Sequence, residues 1–172
     1  MTFEVEQKYR VRNPAFIRRR LKALRAKRLA GGHEKNELWD LGRLVRRTNS
    51  VLRLRTFEGK GFLTLKGPRL KSKFKKRVEV ETAVDPQAVK TMLTLLGFKV
   101  VARYEKTREE YRLGPAHVTL DNLGKFGWFV EIESAARHIE KIAAQLGFGS
   151  KDREERSYLE MVYGRKSVWR NK

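Results

Sequence analysis

Phe3-Glu4-Val5-Glu6-Gln7-Lys8-Tyr9-Arg10-Val11 is the stretch from which the fold is read. In a strand, residues two apart share a face, so Glu4, Glu6 and Lys8 stand on one side with the apolar residues opposite. The same acid, apolar, acid pattern returns as Glu79-Val80-Glu81 and Glu131-Ile132-Glu133. Each occurrence runs into a capping residue and then a helix with one apolar stripe. Asn13-Pro14 opens a helix carrying Ile17, Leu21 and Leu24, with Gly31-Gly32 expected as its stop. Asp85-Pro86 opens one carrying Val89, Met92, Leu93 and Leu96 before Gly97. Ser134 is the expected cap of a third, carrying Ile139, Ile142, Ala143 and Leu146 before Gly147.

Further strands fill the intervals. The spacing predicts strands over 77–84 and 128–133 in the repeated units, and over 51–57 and 62–67 around the Glu58-Gly59-Lys60-Gly61 turn. Two more are expected over 105–113 and 117–121 around Gly114-Pro115, and a short one over 37–41. A short final helix is expected at 157–163. The count is roughly eight strands and three or four helices in an α+β chain, with no linker long enough to divide it, so 1–172 is read as a single domain.

The bases follow the same alternation as the acids. Arg53 and Arg55 alternate with Leu52 and Leu54, Lys66 shares a face with Thr64, Arg77 shares that of Glu79 and Glu81, and Lys106 pairs with Arg108. One strand of this kind is ordinarily the wet side of an open sheet. Repeated over several strands, with carboxylates in close pairs that repel unless a cation joins them, the pattern favours a sheet curled into a barrel. The charged faces then turn inward and line a water-filled tunnel, with the helices outside. Paired carboxylates hold hard divalent cations, and Arg and Lys neutralise phosphoryl oxygens, so such a lining suits a metal-chelated polyphosphate. No Walker A loop or dinucleotide-binding glycine fingerprint is present.

Composition sets the outer limits. Of 172 residues, 40 are Lys or Arg and 20 are Asp or Glu, a formal charge of +20, yet 40% are hydrophobic, enough for a folded core. The absence of Cys excludes disulfides and thiolate metal sites, which leaves oxygen ligands. His33, His117 and His138 are expected at the surface or in turns, without chemistry. No membrane-spanning run or secretory signal is evident, and a cytoplasmic location is expected. Much of the positive charge falls in acid-free runs at 18–28, 69–76 and 165–172, read as solvated faces that also steer polyanions.

Taken together, the motifs Glu4-Val5-Glu6-Gln7-Lys8, Leu38-Trp39-Asp40, Leu52-Arg53-Leu54-Arg55, Leu65-Lys66-Gly67-Pro68, Arg77-Val78-Glu79-Val80-Glu81, Glu105-Lys106-Thr107-Arg108, Leu120-Asp121 and Phe129-Val130-Glu131-Ile132-Glu133 resemble, in order and spacing, the CYTH domain family of triphosphate tunnel metalloenzymes. Ser157-Tyr158-Leu159-Glu160 resembles the ending of its class IV adenylate cyclase branch. The resemblance implies an eight-stranded antiparallel β-barrel with helices packed outside and Mg²⁺ or Mn²⁺ as cofactor. It implies Glu4, Glu6, Glu79, Glu81, Glu131 and Glu133 as metal ligands and Lys8, Arg53, Arg55, Lys66, Arg77, Lys106 and Arg108 as phosphate-binding residues. Lys8, Glu4 and Glu6 are the expected catalytic residues. The implied activity is cyclisation of ATP or hydrolysis of inorganic, thiamine or nucleoside triphosphate, by a monomer or homodimer without a membrane partner.

Two features depart from the family pattern: its usual Tyr-Phe-Asp is Leu38-Trp39-Asp40, and no obvious polar counterpart precedes it in His33-Glu34-Lys35-Asn36. Asp121 is expected either to support the metal site or to cap the turn at 122–127. Trp39, Trp128 and Tyr158 are expected in packing rather than on a base. The rival reading is a non-catalytic barrel that binds RNA or polyphosphate through its basic exterior, a partner the enzyme reading allows but does not require.

Overall fold

The computed structural model describes residues 2–164; the basic run at 165–172 lies outside the described residues. Eight strands close into an antiparallel barrel in the order β1 (Thr2–Val11), β5 (Lys75–Val84), β4 (Lys60–Lys66), β3 (Val51–Phe57), β2 (Lys27–Asp40), β6 (Lys99–Leu113), β7 (Ala116–Asn122) and β8 (Trp128–Glu133), which pairs back to β1. The expected barrel is the one formed. The buried apolar side chains of β1, β7 and β8 lie under the outer helices, and the alternating charged side chains such as Glu4, Glu6, Lys8, Arg53 and Arg55 point in.

Three helices follow the repeated strands as expected, α1 (Pro14–Ala23), α3 (Pro86–Leu95) and α4 (Ala136–Leu146), and the expected short final helix is α5 (Tyr158–Tyr163); a short α2 (Leu44–Arg47) is additional. Asn13 accepts from the Phe16 N–H at 3.0 Å and Asp85 from the Ala88 N–H at 2.7 Å, satisfying helix-end donors that would otherwise be unpaired. α1 and α4 cover the β1, β7 and β8 side, where Ile17, Leu21, Val118, Leu120, Val130, Ile132, Ile139 and Leu146 make one buried cluster. Each such aliphatic side chain stabilises by roughly 2 kcal/mol when fully buried. α3 covers β2, β3 and β4 through Val89 and Leu93, packed with Trp39 and Leu54.

Four local expectations are corrected. α1 does not run to Gly31-Gly32. Arg25, at φ 58°, turns the chain directly after the Leu24 cap, and the N–H of Ala26 bonds back to the Leu21 carbonyl. Gly31 and Gly32 lie inside β2, which is therefore far longer than 37–41. A Cβ on Gly32 would collide with the Glu58 carboxylate. Ser134 is not the cap of α4: its N–H bonds the Val5 carbonyl as an extension of β8, and Ala135 occupies the cap position without a side-chain bond. β5 and β6 each begin earlier than expected, at Lys75 and Lys99. In β6 a register shift against Leu38 and Trp39 places Val101 outside the pairing.

Candidate active site

The closed sheet encloses a cavity of about 720 Å³, lined by side chains from all eight strands and from α5. Every expected metal-ligating and phosphate-binding residue faces it. The register explains how. Glu6 lies opposite Glu133 and Lys8 opposite Glu131 across β1 and β8, while Glu4 lies opposite Arg77 and Glu6 opposite Lys75 across β1 and β5. The alternation of each strand is thus converted by pairing into a continuous charged wall.

On the β6 and β7 side the charges are neutralised within the protein. Asp121, fully buried, accepts from Lys106 at 3.0 Å, from Arg108 at 2.8 and 2.7 Å and from the Tyr158 hydroxyl at 2.7 Å. Glu34, also fully buried, lies 3.4 Å from Lys106 and 3.6 Å from Arg108 and Arg55. Burial pushes the Glu34 carboxyl up, but Lys106, Arg108 and Arg53 more than offset that and hold it well below the usual carboxylate range. Glu131 behaves in the same way: burial opposes its charge, and Lys8 at 3.3 Å, with Lys106 and Arg108, overcomes the penalty. Further round, Glu81 takes Arg55 at 2.7 Å and the Thr64 hydroxyl at 2.6 Å, with Arg53 at 3.4 Å, and its carboxyl is likewise lowered.

Across the tunnel, at β1 and β5, the pattern reverses. Lys66 bridges Glu4 at 2.7 Å and Glu79 at 2.8 Å. Even so, burial and the hydrogen bond with Glu79 keep the Glu4 carboxyl above its ordinary value. Glu6 is raised by burial and then by Glu131 and Glu4, and Glu133 by burial and then by Glu4. Among the described residues no base lies within ion-pair distance of Glu6, and no acid within that distance of Lys75 or Arg77. Lys75 is pushed down by burial and by Lys8, and Arg77 by burial and by Arg69. Acids short of cations stand beside cations short of anions.

The donor set fits a hard divalent cation in kind, because Glu4, Glu6 and Glu133 are carboxylates facing the tunnel from paired strands, Glu6 opposite Glu133 in the register. Among the described residues, no group of three or more His, Asp or Glu side chains already converges on one point in metal-ligand geometry. Glu79 and Glu81 are engaged with Lys66, Arg53 and Arg55.

Several tunnel residues escaped the sequence reading. Glu34 and Asn36 lie in the part of β2 before residue 37, and Lys75 in the part of β5 before residue 77, outside the expected strands. Glu110 and Thr119 also line the cavity; each stands two residues from a recognised inward position, and that periodicity was the available signal. His117, expected at the surface or in a turn, lines the tunnel from β7, 3.5 Å from Glu110 and 4.0 Å from Glu133. Asp121 does not cap the following turn. Asn122 accepts the Gly124 N–H instead. Trp39 packs outside the barrel, whereas Tyr158 faces in.

A closed barrel with a tunnel of mixed charge and external helices defines a triphosphate-tunnel type of architecture. The CYTH domain model matches residues 2–158, and the chain belongs to the CYTH domain family. Adenylate cyclase CyaB of Aeromonas hydrophila is 29% identical over 171 residues, covering 91% of this chain and 86% of that protein. A Methanocaldococcus jannaschii protein provisionally named an adenylate cyclase is 31% identical over 102 residues, a match spanning 59% of this chain and 58% of the relative. A solved structure from Vibrio parahaemolyticus, provisionally titled an adenylate cyclase, superposes with a TM-score of 0.85 at 28% identity, covering 94% of this chain and 98% of that one. No helix among the described residues is long and apolar enough to cross a membrane.

Proposed function

We propose that the protein is a divalent-metal-dependent enzyme acting on a triphosphate held inside the barrel, and that its reaction is cyclisation of ATP. The observation that carries this reading is the pair of cross-strand partners Glu6 and Lys75, and Glu4 and Arg77. They oppose one another in the register without forming ion pairs. Opposite charges left apart in a buried wall suit a ligand bearing both signs, and a metal triphosphate is such a ligand.

In this reading Glu4, Glu6, Glu131 and Glu133 are the leading candidate ligands of Mg²⁺ or Mn²⁺, and Glu79 and Glu81 are secondary candidates. A bound divalent cation supplies positive charge to the phosphoryl oxygens. Lys75 and Arg77 take phosphate oxygens directly, and Lys8, Lys66, Arg53, Arg55, Lys106 and Arg108 add positive potential from the surrounding wall. The walls hold the polyphosphate along the tunnel. In cyclisation the ribose 3′ oxygen forms a bond to the α-phosphorus, the bond from that phosphorus to the bridging oxygen breaks, and diphosphate leaves with the electron pair. The hydroxyl proton passes to a carboxylate, for which Glu4 and Glu6, the expected catalytic acids, are the candidates.

The names of the relatives and the Ser157-Tyr158-Leu159-Glu160 ending support cyclisation over hydrolysis. Incubation with Mg²⁺ or Mn²⁺ and, separately, ATP, thiamine triphosphate and tripolyphosphate tests the reading. Cyclic AMP with diphosphate is the expected product, and release of orthophosphate instead would assign a hydrolase. No turnover of any of the three, together with metal binding unchanged in Glu6→Gln, would remove the enzyme reading.

A further inference from the structure

Two of the cations assigned above to the phosphate-binding wall face a single aromatic ring. Nζ of Lys8 lies 3.6 Å and Nζ of Lys106 4.5 Å from the ring centroid of Tyr158. Lys8 belongs to β1 and Lys106 to β6, strands separated in the barrel by β7 and β8, so no shared ladder fixes one ammonium relative to the other. The ring comes from outside the sheet, in the first turn of α5. That turn is itself fixed by a reciprocal cap: the Glu160 N–H donates to the Ser157 hydroxyl at 3.1 Å and the Ser157 N–H to the Glu160 carboxylate at 2.6 Å.

The ring is held on several sides. Its hydroxyl donates to Asp121 at 2.7 Å, and it meets Phe129 edge-on with centroids 5.7 Å apart. Two residues earlier, the carbonyl of Arg156 accepts from Lys8 Nζ at 3.1 Å. The side chains of Lys8 and Lys106 are each only 1% exposed. A buried ammonium has lost its hydration and needs replacement contacts. Lys8 has Glu131 at 3.3 Å, and Lys106 has Asp121 at 3.0 Å and Glu34 at 3.4 Å; the ring face adds attraction for both ammonium groups without a further negative charge. Phosphate oxygens can still be drawn to a cation held that way.

We propose that Tyr158 is a positioning residue. Its ring fixes the ammonium groups of Lys8 and Lys106 at a set spacing and presents both to one polyphosphate chain, which makes the α5 cap part of the binding apparatus as well as a closure of the barrel. This rests on the triphosphate reading, and the test separates the two.

Calorimetric titration of Mg²⁺ with tripolyphosphate should give a dissociation constant weakened about tenfold or more in Tyr158→Leu and within about threefold of the wild type in Tyr158→Phe, which keeps the ring. Met161→Ala trims a buried neighbour in the same cluster without touching either ammonium. It should lower the melting temperature yet leave the dissociation constant within about twofold. In ligand-free protein, the ε-methylene protons of Lys8 and Lys106 should show upfield ring-current shifts in NMR that vanish in Tyr158→Leu and persist in Met161→Ala. Equal loss of affinity in Met161→Ala and Tyr158→Leu would overturn the positioning role, as would absence of the ring-current shifts from the wild type. A wild type that binds no tripolyphosphate would instead overturn the triphosphate reading.

Discussion

On the wall formed by β6 and β7, Asp121 gathers hydrogen bonds from Lys106, Arg108, Thr119 and Tyr158; on the wall formed by β1 and β5, Glu6 faces Lys75 across the ladder and the two do not pair. Both walls carry acids and bases in alternation, so composition does not distinguish them. What distinguishes them is how far each charge is satisfied by the protein itself. A fully paired buried network costs a great deal to break and holds the barrel in one shape. A wall with unmet charges is less stable alone and gains most when a ligand of the complementary pattern arrives.

The largest effect is expected on the paired wall. Asp121→Ala leaves Lys106 and Arg108 buried without their main acid, and urea unfolding should show a loss of about 3–5 kcal/mol. Arg77→Ala tests the opposite wall. Having no acid within ion-pair distance, Arg77 should be removable with little change in urea midpoint, while tripolyphosphate affinity measured by calorimetry falls roughly tenfold to a hundredfold. If the two substitutions gave the same profile, the contrast between the walls would be lost.

The contrast also has a pH signature. Glu34 and Glu131 sit below the ordinary carboxyl value of 4.5, so the stability they contribute is present above that value and is lost as pH falls through their folded values. Glu6 and Glu133 sit above it, so the folded protein holds their protons longer than the unfolded chain does. Their favourable contribution is present below 4.5 and fades as pH rises through their raised values. A divalent cation compensates the exposed repulsion. The increase in melting temperature on adding Mg²⁺ should therefore be small at acid pH and larger at alkaline pH, and calorimetric scans across that range check it.

The smallest expected effect lies away from the tunnel. Ala135 caps α4 without a side-chain bond, so Ala135→Asp should stabilise by about 1 kcal/mol in urea unfolding with turnover unchanged.

Most of the architecture was legible in the sequence because alternation over β1, β3, β5 and β8 is strict and each repeated unit ends in helix punctuation. The largest departure, in β2, has a clear physical cause. Gly31-Gly32 reads as a helix stop by local preference, yet the length of β6 and its ladder with β2 draw those residues into a strand, and the true stop falls on Arg25, which carries no such signal. That one error hid Glu34 and Asn36. His117 shares the inward face of Thr119 and Asp121 on β7, a cue that the spacing carries, whereas Tyr158 packs as expected and only the docking of α5 turns its ring inward. Which charges are paired and which are left open depends on side-chain geometry across strands, beyond what spacing along one strand encodes.

In the proposed function, Glu6 of β1 and Lys75 and Arg77 of β5, which lack ion-pair partners among the described residues, act as one site for a metal and a triphosphate. Calorimetric titration of tripolyphosphate with and without Mn²⁺, in the wild type and in Glu6→Gln, measures this coupling directly. The expected result is binding that Mn²⁺ strengthens at least tenfold in the wild type and hardly at all in Glu6→Gln. Equal affinity with and without Mn²⁺ in the wild type, or an undiminished Mn²⁺ effect in Glu6→Gln, would contradict it.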